Sequence, residues 1–184
     1  HSFNVYEVDL SLLQFNHLNG RIASLSEEYE TENGQSLGDL PIAERDTIIS
    51  NWILEKNRSR NEKTEQDIKN KGQMQPGVVT NDGLIVDGNR RFMILRRLRD
   101  AGFDQKFRTI ILDNTYTDGA DIKLDIKKLE TSIQMGTDDK VGYDAIEKYL
   151  KVKDFVKNYS RTQVSYNEIA EMMSLDGEKN VKEL

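Results

Sequence analysis

Two short apolar runs around one turn constrain this chain most. Val78-Val79-Thr80 and Leu84-Ile85-Val86 flank Asn81-Asp82-Gly83. β-Branched residues suit a pleated, half-buried surface, and a glycine free to take positive φ suits a hairpin turn. Pro76–Val86 therefore predicts a β-hairpin. Through Asp87-Gly88 it runs into Arg90–Ala101, where Phe92, Leu95 and Leu98 share one side of a predicted helix and Gly102 follows its end. The fold has to combine sheet and helix.

The rest of the chain is read the same way. Val5–Leu13 alternates roughly and predicts a short strand running into a turn. Phe15–Ile22 is loop-like, with Asn16, Asn19 and Gly20 as turn formers. Glu27–Asp39 is polar, contains Asn33-Gly34 and Gly38, and is expected to be an exposed connection. A helix is predicted from Ile42 to Asn57, with Pro41 near its first turn and Ile48, Ile49, Trp52 and Ile53 at helical spacing, Trp52 in the core. Charged Arg58–Lys63 breaks that pattern. A second helix is predicted from Thr64, where Thr64-Glu65-Gln66-Asp67 is close to a capping box, to Lys71-Gly72, with Gly72 left-handed. Phe107–Leu112 reads as a strand and Asn114–Gly119 as a turn cluster.

From Ile122 onward the pattern is helical. Leu124, Leu129 and Ile133 are candidates for one apolar face. Tyr143–Asn158 is amphipathic through Ile146, Tyr149, Leu150, Val152 and Phe155, with Tyr143 and Tyr149 as packing residues. Ser165–Met173 carries Ser165 and Glu168 as a capping box, and Glu178–Leu184 reads as a truncated last helix. The order predicts an α/β or α+β domain followed by a helical appendage.

Composition bounds the chemistry. The 184 residues suit one domain, or one domain with a small appendage. Cysteine is absent, which excludes disulfides, thiol nucleophiles and Cys-ligated zinc. His1 and His17 are the two histidines, which argues against histidine metal sites and Ser-His-Asp chemistry. No apolar run approaches the roughly 18–20 residues of a membrane span. A soluble, cytoplasmic protein with no membrane partner is expected. The net charge of −6 speaks against a broad DNA-coating surface, which would be basic. Yet 90–108 holds seven basic and two acidic residues, +5 in all, and the remainder carries −11. A focused anion site fits that distribution.

The stretch most suited to chemistry is Gly83-Leu84-Ile85-Val86-Asp87-Gly88-Asn89-Arg90-Arg91-Phe92-Met93-Ile94-Leu95. Backbone N–H groups at a helix N-terminus attract anions. Gly88 allows close approach of a ligand to the backbone. Two guanidinium forks can hold phosphate oxygens bidentately. Arginine in a first helical turn opposes the macrodipole, so a ligand would explain it; solvated arginines at an ordinary junction are the alternative. Asp87 is read either as a turn former or as a residue orienting the arginines or a metal. Glu130 and Gln134, at i and i+4, share one helix face. There Glu130 is either a Mg²⁺ ligand or a surface residue.

These residues resemble the ParB-type family, the ParB/sulfiredoxin fold. Gly88-Asn89-Arg90-Arg91 is similar to its Gly-Glu-Arg-Arg phosphate box after a strand. Lys71–Val79 resembles the Gly-Leu-Leu-Gln-Pro approach to that strand, with Gln75 as the glutamine. Phe15–Ile22 resembles the early Asn-Pro-x-x-Arg box, with Arg21 as its arginine. Leu129–Gln134 stands where the family has Glu-Asn-Ile-Gln-Arg. Ala145-Ile146-Glu147 resembles the start of the following helix, and Gln163–Met173 the first helix of a helix-turn-helix.

The resemblance implies an α+β fold, a small mixed sheet with flanking helices, followed by an all-helical segment. Residues 1–122 would be the nucleotide-binding domain, with a helical insertion near 40–63, and 123–184 would begin a helix-turn-helix. It implies a nucleoside triphosphate, CTP or ATP, with Mg²⁺. Gln75, Asp87, Gly88, Asn89, Arg90 and Arg91 would hold it, with Arg21 and Gln134, and Glu130 as metal ligand and catalytic residue. It also implies DNA as a partner of the C-terminal helical part, a homodimer, and association with the nucleoid. The chain ends where the second helix of that motif should develop, so a fragment of a longer protein is expected.

Some positions depart from the pattern. Asn89 replaces the usual Glu, Ile94 an Ala, and the Asn and Arg of the Glu-Asn-x-x-Arg box lack clean matches. These departures weigh against hydrolysis more than against binding. Sulfiredoxin itself is excluded, because its catalytic Cys falls at Asn89. An NTP-hydrolysing, kinase-like or nuclease enzyme of the same fold, and an interaction module that has lost its ligand, are the alternatives.

Overall fold

The computed structural model describes residues 3–115, 119–135, 145–159, 163–175, 179 and 181. In chain order the elements are β1 (Tyr6–Asp9), α1 (Ala23–Asn33), α2 (Ile42–Lys56), α3 (Arg58–Lys71), β2 (Gly77–Val79), β3 (Ile85–Asp87), α4 (Asn89–Asp100), β4 (Lys106–Ile111), α5 (Ala120–Met135), α6 (Ala145–Asn158) and α7 (Tyr166–Met172). The fold is α+β, a small mixed sheet with flanking helices, as expected. The chain divides into two compact units, His1–His17 with Leu37–Ile126, and Leu18–Ser36 with Lys127–Leu184. The division falls inside α5.

In the first unit the strands lie in the order β1-β4-β2-β3. β1 pairs antiparallel with β4, Tyr6 opposite Thr109 and Asp9 opposite Lys106. β2 runs parallel to β4, and β2 and β3 form the predicted hairpin, with a register shift at Val78/Val79. β1 stops early because Asp9 Oδ1 accepts Ser11 N–H at 2.8 Å and starts a 3-10 turn over Leu10–Leu12. Gln14 then makes a parallel bridge to Leu84.

α4 supplies the core. Phe92, Met93, Ile94, Leu95 and Leu98 are all buried. Phe92 meets Phe15 edge-on at 4.8 Å and Phe107 at 6.1 Å between ring centroids. Each such side chain stabilises by roughly 2–3 kcal/mol through buried apolar area. The Phe107 ring occupies space left by two missing Cβ atoms. A Cβ at Gly77 would overlap it, and one at Gly88 would stand 2.8 Å from Cζ.

Two helices of this unit differ from expectation. α3 begins at Arg58, not Thr64, and only Asn57, at φ −151° and ψ 58°, separates it from α2. Asn61 Nδ2 donates to the carbonyls of Ile53 and Leu54 at 2.8 and 3.0 Å, so the end of α2 is satisfied from inside α3. Thr64 is mid-helix, its hydroxyl donating to the Arg60 carbonyl at 2.9 Å, and does not cap. Gly72 has the expected positive φ, +72°. On α2, Ile49 is fully buried, whereas Ile48, Trp52 and Ile53 are half-buried and Arg45 and Asp46 point inward.

In the second unit the largest correction is α1. Residues 23–33 are helical where an exposed connection was expected at Glu27–Asp39. No residue of α1 is fully buried, so it has no apolar stripe to read. It packs on α6, with Lys153 Nζ 3.5 Å from Glu27 Oε1, and ends at Gly34, φ +65°. Val152, Phe155, Val164, Ile169 and Met173 are buried. The Ser165/Glu168 capping box is formed in full.

Leu129 is exposed, contrary to expectation, while Glu130, Thr131 and Gln134 are buried. Leu129 stands five residues from Leu124, about 140° around the helix. Tyr143 lies outside the described residues, as does most of Glu178–Leu184. Among the described residues no helix is long and apolar enough to cross a membrane.

Candidate functional site

The residues expected to act together divide between the units. Gln75, Asp87, Gly88, Asn89, Arg90 and Arg91 are in the first; Arg21, Glu130 and Gln134 are in the second.

In the first unit the junction is built as the sequence predicts. β3 ends at Asp87, Gly88 turns the chain at φ +112°, and α4 starts at Asn89. The first N–H groups of a helix have no intrahelical acceptor. No side chain caps α4, and its first turn holds no acidic residue. That leaves the positive end of the helix dipole without a compensating carboxylate in the turn itself.

The two arginines have protein partners. Arg90 Nη2 donates to the Arg60 carbonyl at 2.6 Å and to the Thr64 hydroxyl, tying α4 to α3. Arg91 Nη2 donates to Asp87 Oδ2 at 2.7 Å and to the Pro76 carbonyl at 3.3 Å. Asp87 thus orients an arginine as well as ending a strand. Asn89 is buried, and its Oδ1 accepts the Asn16 amide at 3.3 Å.

Gln75 is exposed, and the buried glutamine is Gln73, which sequence reasoning missed. Its side chain donates to the Gln75 and Arg108 carbonyls at 2.9 and 2.8 Å and accepts the Arg108 amide at 2.8 Å. Nothing local distinguishes Gln73 from Gln75 in the sequence. Several members of the basic segment are likewise engaged. Arg96 meets Asp46 at 2.9 Å, Arg97 meets Glu65 at 3.4 Å, and Arg108 Nη1 donates to the Gln73 carbonyl at 2.6 Å.

Beside Asn16, burial pushes the His17 imidazole down to about 4, with the charge of Arg45 as the second cause. His17 is therefore neutral at physiological pH.

In the second unit Glu130 is buried, not on the surface. Its Oε1 accepts the Gly20 amide at 3.2 Å and lies 3.4 Å from Lys151 Nζ. Gln134 is buried one turn on, and Arg21 is half-buried in the 3-10 turn Gly20–Ile22, which Asn19 Oδ1 caps by accepting the Arg21 amide at 3.0 Å. Lys151 and Lys127 were missed by sequence reasoning. Lys127 pairs with Asp154 and lies 5.5 Å from the Phe155 ring centroid. Burial, then the charge of Lys151, pushes its ammonium down to about 8, against the pull of Glu130.

These residues do not fit Mg²⁺ at Glu130. A divalent cation there would face the Lys151 ammonium and compete with it for the same oxygen. Among the described residues no three His, Cys, Asp or Glu side chains cluster as metal ligands.

No family model and no curated protein matches the chain. Among solved structures it is similar to the C2221 form of a Pnob8-like ParB-N domain, at 13% identity and a TM-score of 0.48, covering 92% of this chain and 51% of that one. The chain spans about half the length of that solved structure.

Proposed function

We propose that the first unit binds a nucleoside triphosphate, CTP or ATP, with phosphates seated at the β3–α4 turn, in a ParB-type, DNA-associated protein. One observation carries the reading: α4 starts from Gly88 at φ +112° with no side-chain cap, no acid and two arginines in its first turn. Such an end favours anions by dipole, amide and guanidinium together. The ordered set of ParB-like sequence motifs supplies the nucleotide class and the DNA association, the latter through the helical part that contains α7. Binding without turnover is proposed, because the Glu130 carboxylate is occupied by the Gly20 amide and Lys151.

Calorimetric titration of the folded chain with CTP, ATP and GTP in the presence of Mg²⁺ tests the reading. Heat with at least one nucleotide, lost in Arg90→Ala/Arg91→Ala and compared with Arg21→Ala, is expected. No heat with any of the three, with the circular dichroism of a folded chain, overturns it.

One observation favours a second reading, an interaction module without a nucleotide. Both arginines are hydrogen-bonded within the protein, which gives each a structural reason to be present. In that case the double alanine variant loses stability and changes no binding.

A further inference from the structure

We propose that Asp87 is a positioning residue that holds Arg91 in reserve, so that only a multiply charged phosphate ligand recruits it. The inference rests on the reading of the β3–α4 turn as a phosphate site.

The ion pair is short and largely enclosed. Arg91 Nη2 and Asp87 Oδ2 are 2.7 Å apart, with 17% and 11% of the respective side chains exposed. The guanidinium lies over the N-cap glycine. A Cβ on Gly88 would stand 3.2 Å from Arg91 Nη2 and 3.5 Å from Nε. The arginine's charge is therefore cancelled at the residue where ligand phosphates would arrive.

The two partners differ in freedom. Asp87 is the last residue of β3 and pairs with Val78 in the hairpin, so its backbone is fixed. Arg91 reaches it along a flexible side chain, and its Nε has no hydrogen-bond acceptor. Exchange of partners is then a movement of the guanidinium from Asp87 and the Pro76 carbonyl to ligand oxygens. A singly charged anion offers no more than the carboxylate it replaces. A polyphosphate offers more charge and several oxygens for a bidentate fork. Asp87 thereby makes the site discriminate by ligand charge, an effect unrelated to the base.

Inorganic tripolyphosphate and inorganic phosphate, titrated at fixed ionic strength and mildly acidic pH, where inorganic phosphate is chiefly the singly charged ion, into the full chain and into Asp87→Asn, test this. The asparagine is expected to bind phosphate about tenfold tighter than the parent and tripolyphosphate by a smaller factor, so the preference narrows. Asp87→Asn/Arg91→Gln, which removes the pair at constant net charge, gives an independent reading: tripolyphosphate affinity falls about tenfold more than phosphate affinity, because Arg91 does not serve the weaker ligand. A merely structural Asp87 predicts neither. Binding by the parent with Asp87→Asn no tighter for either ligand overturns the inference and leaves the phosphate site standing. If Asp87→Asn does not fold, equal losses of both ligands in Asp87→Asn/Arg91→Gln overturn it. Binding of neither ligand by the folded parent or any folded variant overturns the site and the inference together.

Discussion

Lys151 Nζ lies 3.4 Å from Glu130 Oε1, and neither side chain has more than 3% of its surface exposed. Two buried opposite charges tolerate each other only as a pair. Removing one strands the other, which costs about 3–5 kcal/mol, whereas replacing both with apolar groups is often close to neutral. Glu130→Met and Lys151→Met should each lower Tm markedly. Glu130→Met/Lys151→Met should recover most of the loss, less about 1 kcal/mol for the Gly20 amide that loses its acceptor. Thermal unfolding of the four proteins checks this; an additive double variant would show that the pair has no mutual role. The same experiment bears on hydrolysis. Were any turnover found, its loss in Glu130→Met would count as catalytic only if the fold survives.

Gly88 and Gly102 both have positive φ, +112° and +92°, but only Gly88 is crowded. An added Cβ at Gly102 meets nothing within 4 Å; at Gly88 it meets Phe107 Cζ at 2.8 Å. Gly102→Ala should cost about 1–2 kcal/mol, for backbone strain alone. Gly88→Ala adds overpacking of about 1–3 kcal/mol. Urea unfolding of both variants is expected to rank Gly88→Ala the more destabilised. Equal losses would mean that Phe107 yields without cost.

Why some elements are readable and others are not follows from where their signals lie. The hairpin and α4 announce themselves within a dozen residues, through β-branched runs, a glycine turn and a helical apolar stripe. α1 carries no such stripe, so its helix depends on a partner helix far along the chain. The start of α3 is set by Asn61 reaching back to the carbonyls of Ile53 and Leu54, a bond that no capping pattern encodes. At the candidate site, the residue types and the strand–turn–helix placement are legible. So is Asp87 as a residue orienting an arginine, which its pair with Arg91 realises four residues away. The other partners of Arg90 and Arg91, and in the second unit that of Glu130, are not, because Arg60, Thr64, Pro76 and Lys151 stand elsewhere in the chain.

His17 makes stability depend on pH in a defined window. Its imidazole is pushed down from 6.5 to about 4 in the folded protein, chiefly by burial. Between those values the unfolded chain takes up a proton that the folded chain refuses. The unfolded state binds more protons, so stability rises with pH through this window and falls as the solution is acidified from 6.5 toward 4. His17→Asn removes this contribution. The Tm of the parent should therefore fall more steeply than that of the variant between pH 6.5 and 4.5. Parallel curves would show that His17 takes up its proton in both states alike.

The basic segment contains cations of two kinds, and they should separate in experiment. Arg96 pairs with Asp46 at 2.9 Å and lies 5.7 and 5.5 Å from the Phe15 and Phe92 ring centroids. Asp46, 5% exposed, also accepts the Phe15 amide at 3.4 Å. Arg99 is exposed. Asp46→Ala leaves a guanidinium and an amide without their acceptor and should cost about 3 kcal/mol or more. Arg96→Ala strands the buried carboxylate and uncovers both rings, with a loss of similar size. Arg99→Ala should change stability by less than about 0.5 kcal/mol. If the segment also meets a nucleic-acid backbone, Arg99→Ala should reduce the salt dependence of that binding by about one ion, with stability unchanged. Stability measurements on the three variants, with DNA titrations across salt concentration for Arg99→Ala, distinguish the roles. A large stability loss for Arg99→Ala, or none for Asp46→Ala, would refute the division.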